Sequence, residues 1–124
     1  MQVFKIVDTD EWKAAQDGAV YSGSAADKAD GFIHLSTSAQ LATTLTKHFA
    51  KADNLTLVSI DSNSLADALK WEPSSNGDSY PHLYGNLQIS AVSWSTPIPK
   101  RPGGVFVLPV RAFTEPPSSP VPSN

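Results

Sequence analysis

Residues Asp30-Gly31-Phe32-Ile33-His34-Leu35-Ser36-Thr37 constrain the fold more than any other stretch, because a short strand bounded by turn formers carries an imidazole at its centre. An aliphatic side chain would pack more easily there, so the fold has to supply His34 with a polar partner. The two-residue period of a strand puts Phe32, His34 and Ser36 on one face and Ile33 and Leu35 on the other. A second polar-aromatic cluster, Tyr80-Pro81-His82-Leu83-Tyr84-Gly85, ends in a glycine that lets a ligand approach the backbone closely. In an extended segment Tyr80, His82 and Tyr84 face one way. Together the clusters predict one pocket, with two ring-bearing segments converging across it.

The rest of the chain reads as short elements. Val3 to Val7 alternates as a strand, and Asp8-Thr9-Asp10-Glu11 supplies capping oxygens and first-turn acids for a helix through Trp12 and Ala15 that Gly18 ends. Residues 19 to 30 read as a loop or a short helical turn. Thr37-Ser38-Ala39-Gln40 has the form of a capping box, and Leu41, Leu45 and Phe49 are the apolar stripe of the helix it starts. Leu55 to Ile60 is a β-rich run, Ser64 to Leu69 a helical turn, and Trp71 a core residue. The loop over residues 73–79 is read as a lid. Leu87 to Trp94 and Val105 to Val110 are further strands, joined by a proline-rich connector. A chain of 124 residues makes one domain, placed at 1–112, and the Pro/Ser-rich stretch 113–124 is expected to be disordered.

Composition excludes several classes. The net charge is −3 with the charges scattered, so no basic field attracts nucleic acid or an anionic membrane. No cysteine occurs, which removes disulfides, thiolate catalysis and Cys-rich zinc frameworks. The apolar stretch Val3 to Val7 is too short for a secretory signal or a membrane span, and a cytoplasmic address is expected by default. A zinc site of His34, His82 and a carboxylate lacks any local His-x₃-His spacing, so no metal is expected. Neither Gly23 nor Gly103-Gly104 lies in a phosphate-binding loop, no nucleophile elbow is present, and His48 complements a helix C-terminus.

Each candidate also has a plain structural reading. A lone strand imidazole such as His34 is more often a core histidine bonded to a backbone carbonyl. Ser36 serves equally well as a helix cap, Tyr84 as a core ring, and Glu72 as a solvated carboxylate. The bond from Tyr80 to Pro81 is open to a cis turn.

The blocks Tyr21-Ser22-Gly23-Ser24, Asp30 to Thr37, Trp71-Glu72-Pro73 and Pro81 to Gly85, in this order and spacing, resemble the bacterial family catalogued as domain of unknown function 952. The likeness covers about residues 1 to 112. It implies a single small α+β domain of ADP-ribosylation-like fold, with short antiparallel sheets and two to three helices around a cleft that holds NAD in related enzymes. Enzymes of the diphtheria-toxin type hold NAD with a strand histidine, stack nicotinamide between two tyrosines and meet the ribosyl cation with a glutamate. His34 resembles that histidine and Tyr80 and Tyr84 the stacking pair. The strand Leu87 to Trp94, where the glutamate would stand, carries no carboxylate, so Glu72 takes the role only if the loop from Pro73 folds back over the cleft.

RNA 2′-phosphotransferases are a poorer analogy, since Lys70, Lys100, Arg101 and Arg111 are too few and dispersed for a phosphate clamp. The expectation is therefore a small-molecule site. Glu72 and His34 are its catalytic candidates, and His34, Ser36, Tyr80, His82, Tyr84 and Gly85 its ligand-binding ones. No cofactor is fixed by the residues; NAD is the one the resemblance implies. The alternative is a non-catalytic module that binds a metabolite or peptide in the same pocket.

Overall fold

Alternation along the first strand sets up everything around it. In β1 (Gln2–Asp8) every residue from Val3 to Val7 is buried, so both faces of the strand are covered. A computed structural model of the chain describes residues 1–74 and 77–114. Residues 75 and 76 of the loop read as a lid, and 115–124 of the tail expected to be disordered, lie outside the described residues. α1 (Thr9–Gly18) follows β1 directly, with the Asp8 carboxylate accepting from the Glu11 amide as its cap. Gly18 does not end it. The left-handed residue is Ala19, at φ 64°, one position later than glycine chemistry favours.

β2 (Val20–Tyr21) leads to α2 (Ala25–Asp30), and the ambiguous 19–30 stretch is thus a strand pair member and a helix. β3 (Ile33–His34) is shorter than expected; Ser36 leaves its sheet and bridges to Phe4 of β1 instead. The Thr37/Gln40 capping box opens a 3₁₀ turn over Ser38–Gln40 that continues as α3 (Leu41–His48). Next come β4 (Leu55–Asp61), a 3₁₀ stretch over Ser62–Ala68, β5 (Leu69–Pro73) and β6 (Ser79–Leu83). The expected strand 87–94 divides into β7 (Leu87–Gln88) and β8 (Val92–Ile98) around a 3₁₀ turn. The last pair is β9 (Lys100–Arg101) and β10 (Val105–Phe106), so the expected strand 105–110 is cut to its first two residues.

Sheet order is β1-β4-β8 in the central sheet and β3-β6-β5 in the one that carries the candidate residues, with β2-β7 and β9-β10 as antiparallel pairs. The domain is α+β, with all its sheets antiparallel. The central sheet divides the core. Val3, Val7, Val58 and Ile60 pack with Trp12, Tyr21, Ile33 and Leu83 on one face. Phe4, Ile6 and Leu57 pack with Leu41 and Leu45 of α3 on the other. By the same parity Lys5 points toward the first cluster, where β3 and α2 lie. No helix among the described residues is long and apolar enough to cross a membrane.

Ala66 stands at φ 49° and ψ −133° inside the 3₁₀ stretch, a backbone region that L side chains rarely adopt. Ala66→Gly is expected to stabilise the protein by about 1 kcal/mol, net of the entropy glycine adds to the unfolded chain. An unchanged or lower urea midpoint would show that the turn carries no strain.

Candidate functional site

The β3-β6-β5 sheet brings the two ring-bearing segments together: His34 stands directly opposite His82 in the ladder, and Lys70 lies opposite His82 on the far side. The core side of this sheet is held by Ile33, Leu35, Pro81 and Leu83, all buried, which leaves the alternate residues on the outer face. There Phe32 stacks on His82 with ring centroids 4.0 Å apart and planes 22° from parallel. It also lies 4.6 Å from His34 and 5.3 Å from Tyr84, while the two imidazoles are 5.6 Å apart, edge to face. Phe32 is the hub of this cluster, and sequence reasoning gave it no role.

His34 finds its polar partner in Asp27. The ring Nδ1 is 2.6 Å from Asp27 Oδ1, and the backbone amide of His34 donates to the same oxygen at 3.1 Å. On its other side the ring Nε2 is 2.9 Å from Asp30 Oδ2. The imidazole is not sealed in, for its side chain is 38% exposed. Asp27 itself is only 2% exposed, and it also takes the Lys5 ammonium at 2.8 Å and the Ser24 amide at 2.9 Å. Burial pushes the Asp27 pKa up. The His34 bond, the charge and bond of Lys5 and the Ser24 amide outweigh that, and hold the carboxyl well below the usual range. For Lys5, buried in the same place, burial lowers the pKa against the opposing pull of Asp27.

Gly23 makes the arrangement possible: at φ +105° it lies so close to Asp27 that a Cβ would stand 2.8 Å from the Asp27 Cβ. Sequence reasoning missed Asp27, Lys5 and Asp30. A lysine at the centre of an apolar strand and a Ser24-x-x-Asp27 capping box were the available signals.

Glu72 reaches the cluster without any loop closure. The β5-β6 hairpin sets it opposite Tyr80, and from there its Oε1 lies 2.7 Å from His82 Nδ1 and 2.8 Å from the Tyr84 hydroxyl, which donates to it. The bond with His82, and after it that with Tyr84, lowers the Glu72 pKa; the same contact raises that of Tyr84. Tyr84 is 39% exposed and so is not a core ring.

The other candidates separate. Tyr80 shares the outer face with His82, and its bond to Pro81 is trans, as are all peptide bonds among the described residues. Ser36 is buried where the chain crosses to β1, and its hydroxyl is 3.0 Å from Thr44 Oγ1, so it offers a ligand no surface. Gly85, at φ 133°, opens a hollow of about 180 Å³ that Phe32 and Asn86 also line. A larger hollow of about 490 Å³ lies beyond it against α1. Trp71, expected in the core, is 44% exposed: it shares the core-facing side with its ladder partner Pro81 but stands on the edge strand β5. Among the described residues no group of three or more His, Cys, Asp or Glu is placed to hold a metal ion.

Against known proteins, the sequence model of the family described as "Protein of unknown function (DUF952)" matches residues 6–95. The crystal structure of protein CC0527 from Caulobacter crescentus superposes with a TM-score of 0.86 at 37% identity, over 91% of this chain and 99% of that one. The solution structure of the same protein gives 0.75 at 39% identity, over 83% and 89%. No curated protein matches the chain.

Proposed function

The chain belongs to the DUF952 family, and on that premise we propose that the outer face of β3-β6-β5 binds a nucleotide-like ligand of the NAD or ADP-ribose type, on an ADP-ribosylation-like frame. The observation that carries this reading is the place of Glu72, whose carboxylate stands beside His82, Tyr84 and the His34 strand. A cationic nicotinamide ring is attracted by the faces of Phe32 and Tyr84 and by the charge of Glu72. If chemistry follows, the bond from ribose C1′ to nicotinamide nitrogen breaks. Its electron pair leaves with the neutral base, and water or another acceptor adds at C1′ and gives up a proton. Glu72 opposes the positive charge that develops on the ribosyl ring, and His34, fixed by Asp27 through Nδ1, donates to a ribose oxygen from Nε2 once that nitrogen gives up its contact with the exposed Asp30.

Binding without chemistry is the second reading. Glu72 Oε1 already accepts from two partners, which spreads the charge that a ribosyl cation would draw on.

A thermal-shift series with NAD, ADP-ribose and nicotinamide tests both. A ligand present at about 100 times its dissociation constant adds roughly 2.7 kcal/mol, enough to raise the melting temperature by several degrees. Nicotinamide release that Glu72→Gln abolishes, with the NAD shift retained, supports the enzyme. A shift with no release supports the binding module. No shift with any of the three at millimolar concentration removes the nucleotide reading.

A further inference from the structure

We infer that the phosphate-bearing half of the ligand leaves the ring cluster past Gly85, crosses Ser22 and Lys28, and ends with its second nucleoside in the larger hollow against α1. This rests on the nucleotide reading above and adds a route and a second subsite to it. The two hollows share Ser22 and Lys28 in their walls, so they adjoin rather than stand apart. Phe32 lines the smaller one and is also the ring that touches His34, His82 and Tyr84, which joins the hollow to the cluster. With no side chain at Gly85, nothing from that position projects into the passage.

Chemistry along this path matches a dinucleotide piece by piece. Lys28 is exposed and makes no ion pair among the described residues, so its ammonium is available to phosphate where the hollows meet. The larger hollow, at about 490 Å³, has the size of a small-molecule site. Ala14, Ala15 and the Tyr21 ring give it an apolar side for a base, and Glu11 offers a carboxylate that accepts from a vicinal diol.

Calorimetric titration of the wild type, Lys28→Glu and Ala14→Trp with NAD and with nicotinamide mononucleotide tests the route. Both positions are exposed, so neither variant strains the fold. Lys28→Glu should weaken both ligands about tenfold or more, since each carries phosphate at the crossing. Ala14→Trp fills the larger hollow and should weaken NAD by a similar factor while leaving the mononucleotide unchanged. Equal NAD affinity in all three proteins would overturn the route and leave the nucleotide reading standing. A wild type that binds neither ligand would remove both.

Discussion

Asp27→Asn is expected to cost about 3–5 kcal/mol, because it removes the counter-charge of a buried lysine and leaves that ammonium unpaired in the core. Asparagine keeps the shape of the side chain, so the loss isolates charge and hydrogen bonding from packing. Asp27 accepts from Lys5, from the His34 ring and amide, and from Ser24, and an amide can replace only part of that acceptance. Set against total stabilities of about 5–15 kcal/mol for small domains, this is enough to lower the melting temperature by roughly 10 °C or more. The double variant Lys5→Met with Asp27→Asn should recover a large part of the loss, since the uncompensated charge goes with the lysine. A single-variant cost below about 1 kcal/mol, or a double variant no better than the single, would show that the pair is more hydrated than its burial implies.

The same carboxylate sets an acid limb. Its pKa in the folded protein is held below the unfolded value, so between the two the unfolded chain binds the extra proton and stability falls with falling pH. The contribution is complete above the ordinary carboxylate range of about 4, and drains away as pH drops through that range toward the depressed value. Comparing the slope of stability against pH below about 4.5 in wild type and Asp27→Asn separates this group from the other acids. Equal slopes would assign the limb elsewhere.

Where the ring-bearing segments lie was legible because local periodicity wrote it. Alternation put Phe32 and His34 on one face of their strand and Tyr80 and His82 on one face of theirs, and pairing of the two strands with Ile33 and Leu83 buried brings those faces together. The fate of Ser36 was not legible. Its parity matches that of His34, but the chain changes sheets at that point, and bonds between Phe4 and Ser36 turn the hydroxyl into the interior. Period-two arguments hold only while a strand stays in one ladder.

The partner of His34 escaped for a related reason. Asp27 lies on a helix of six residues whose role is set by contacts with β1 and β3, and a lysine in an apolar strand says that a counter-charge exists without saying where. Glu72 was expected to need a loop to fold over, whereas a hairpin register places it. Register depends on which residues face each other, and two prolines and an intervening loop concealed that.

Leu83→Ala should cost about 2–5 kcal/mol and disturb the candidate site from below. Leu83 is 2% exposed and faces Ile33 and Leu69 across the two ladders of the site-bearing sheet, so its side chain joins all three strands to the core. His82 and Tyr84 flank it in sequence and depend on its backbone for the geometry that meets Glu72. Truncation leaves a cavity that the antiparallel ladder can close only by shifting β6, and a shift there moves His82 against Phe32 as well. Leu83→Met conserves volume and should stay within about 1.5 kcal/mol, which separates cavity formation from any intolerance of change. Urea denaturation gives the energies, and the imidazole resonances of His82 report whether its bond to Glu72 survives in the folded fraction. A loss below about 1 kcal/mol with unshifted His82 resonances would mean that the outer face does not depend on this anchor, and the preformed site would have to be explained by its own side-chain bonds.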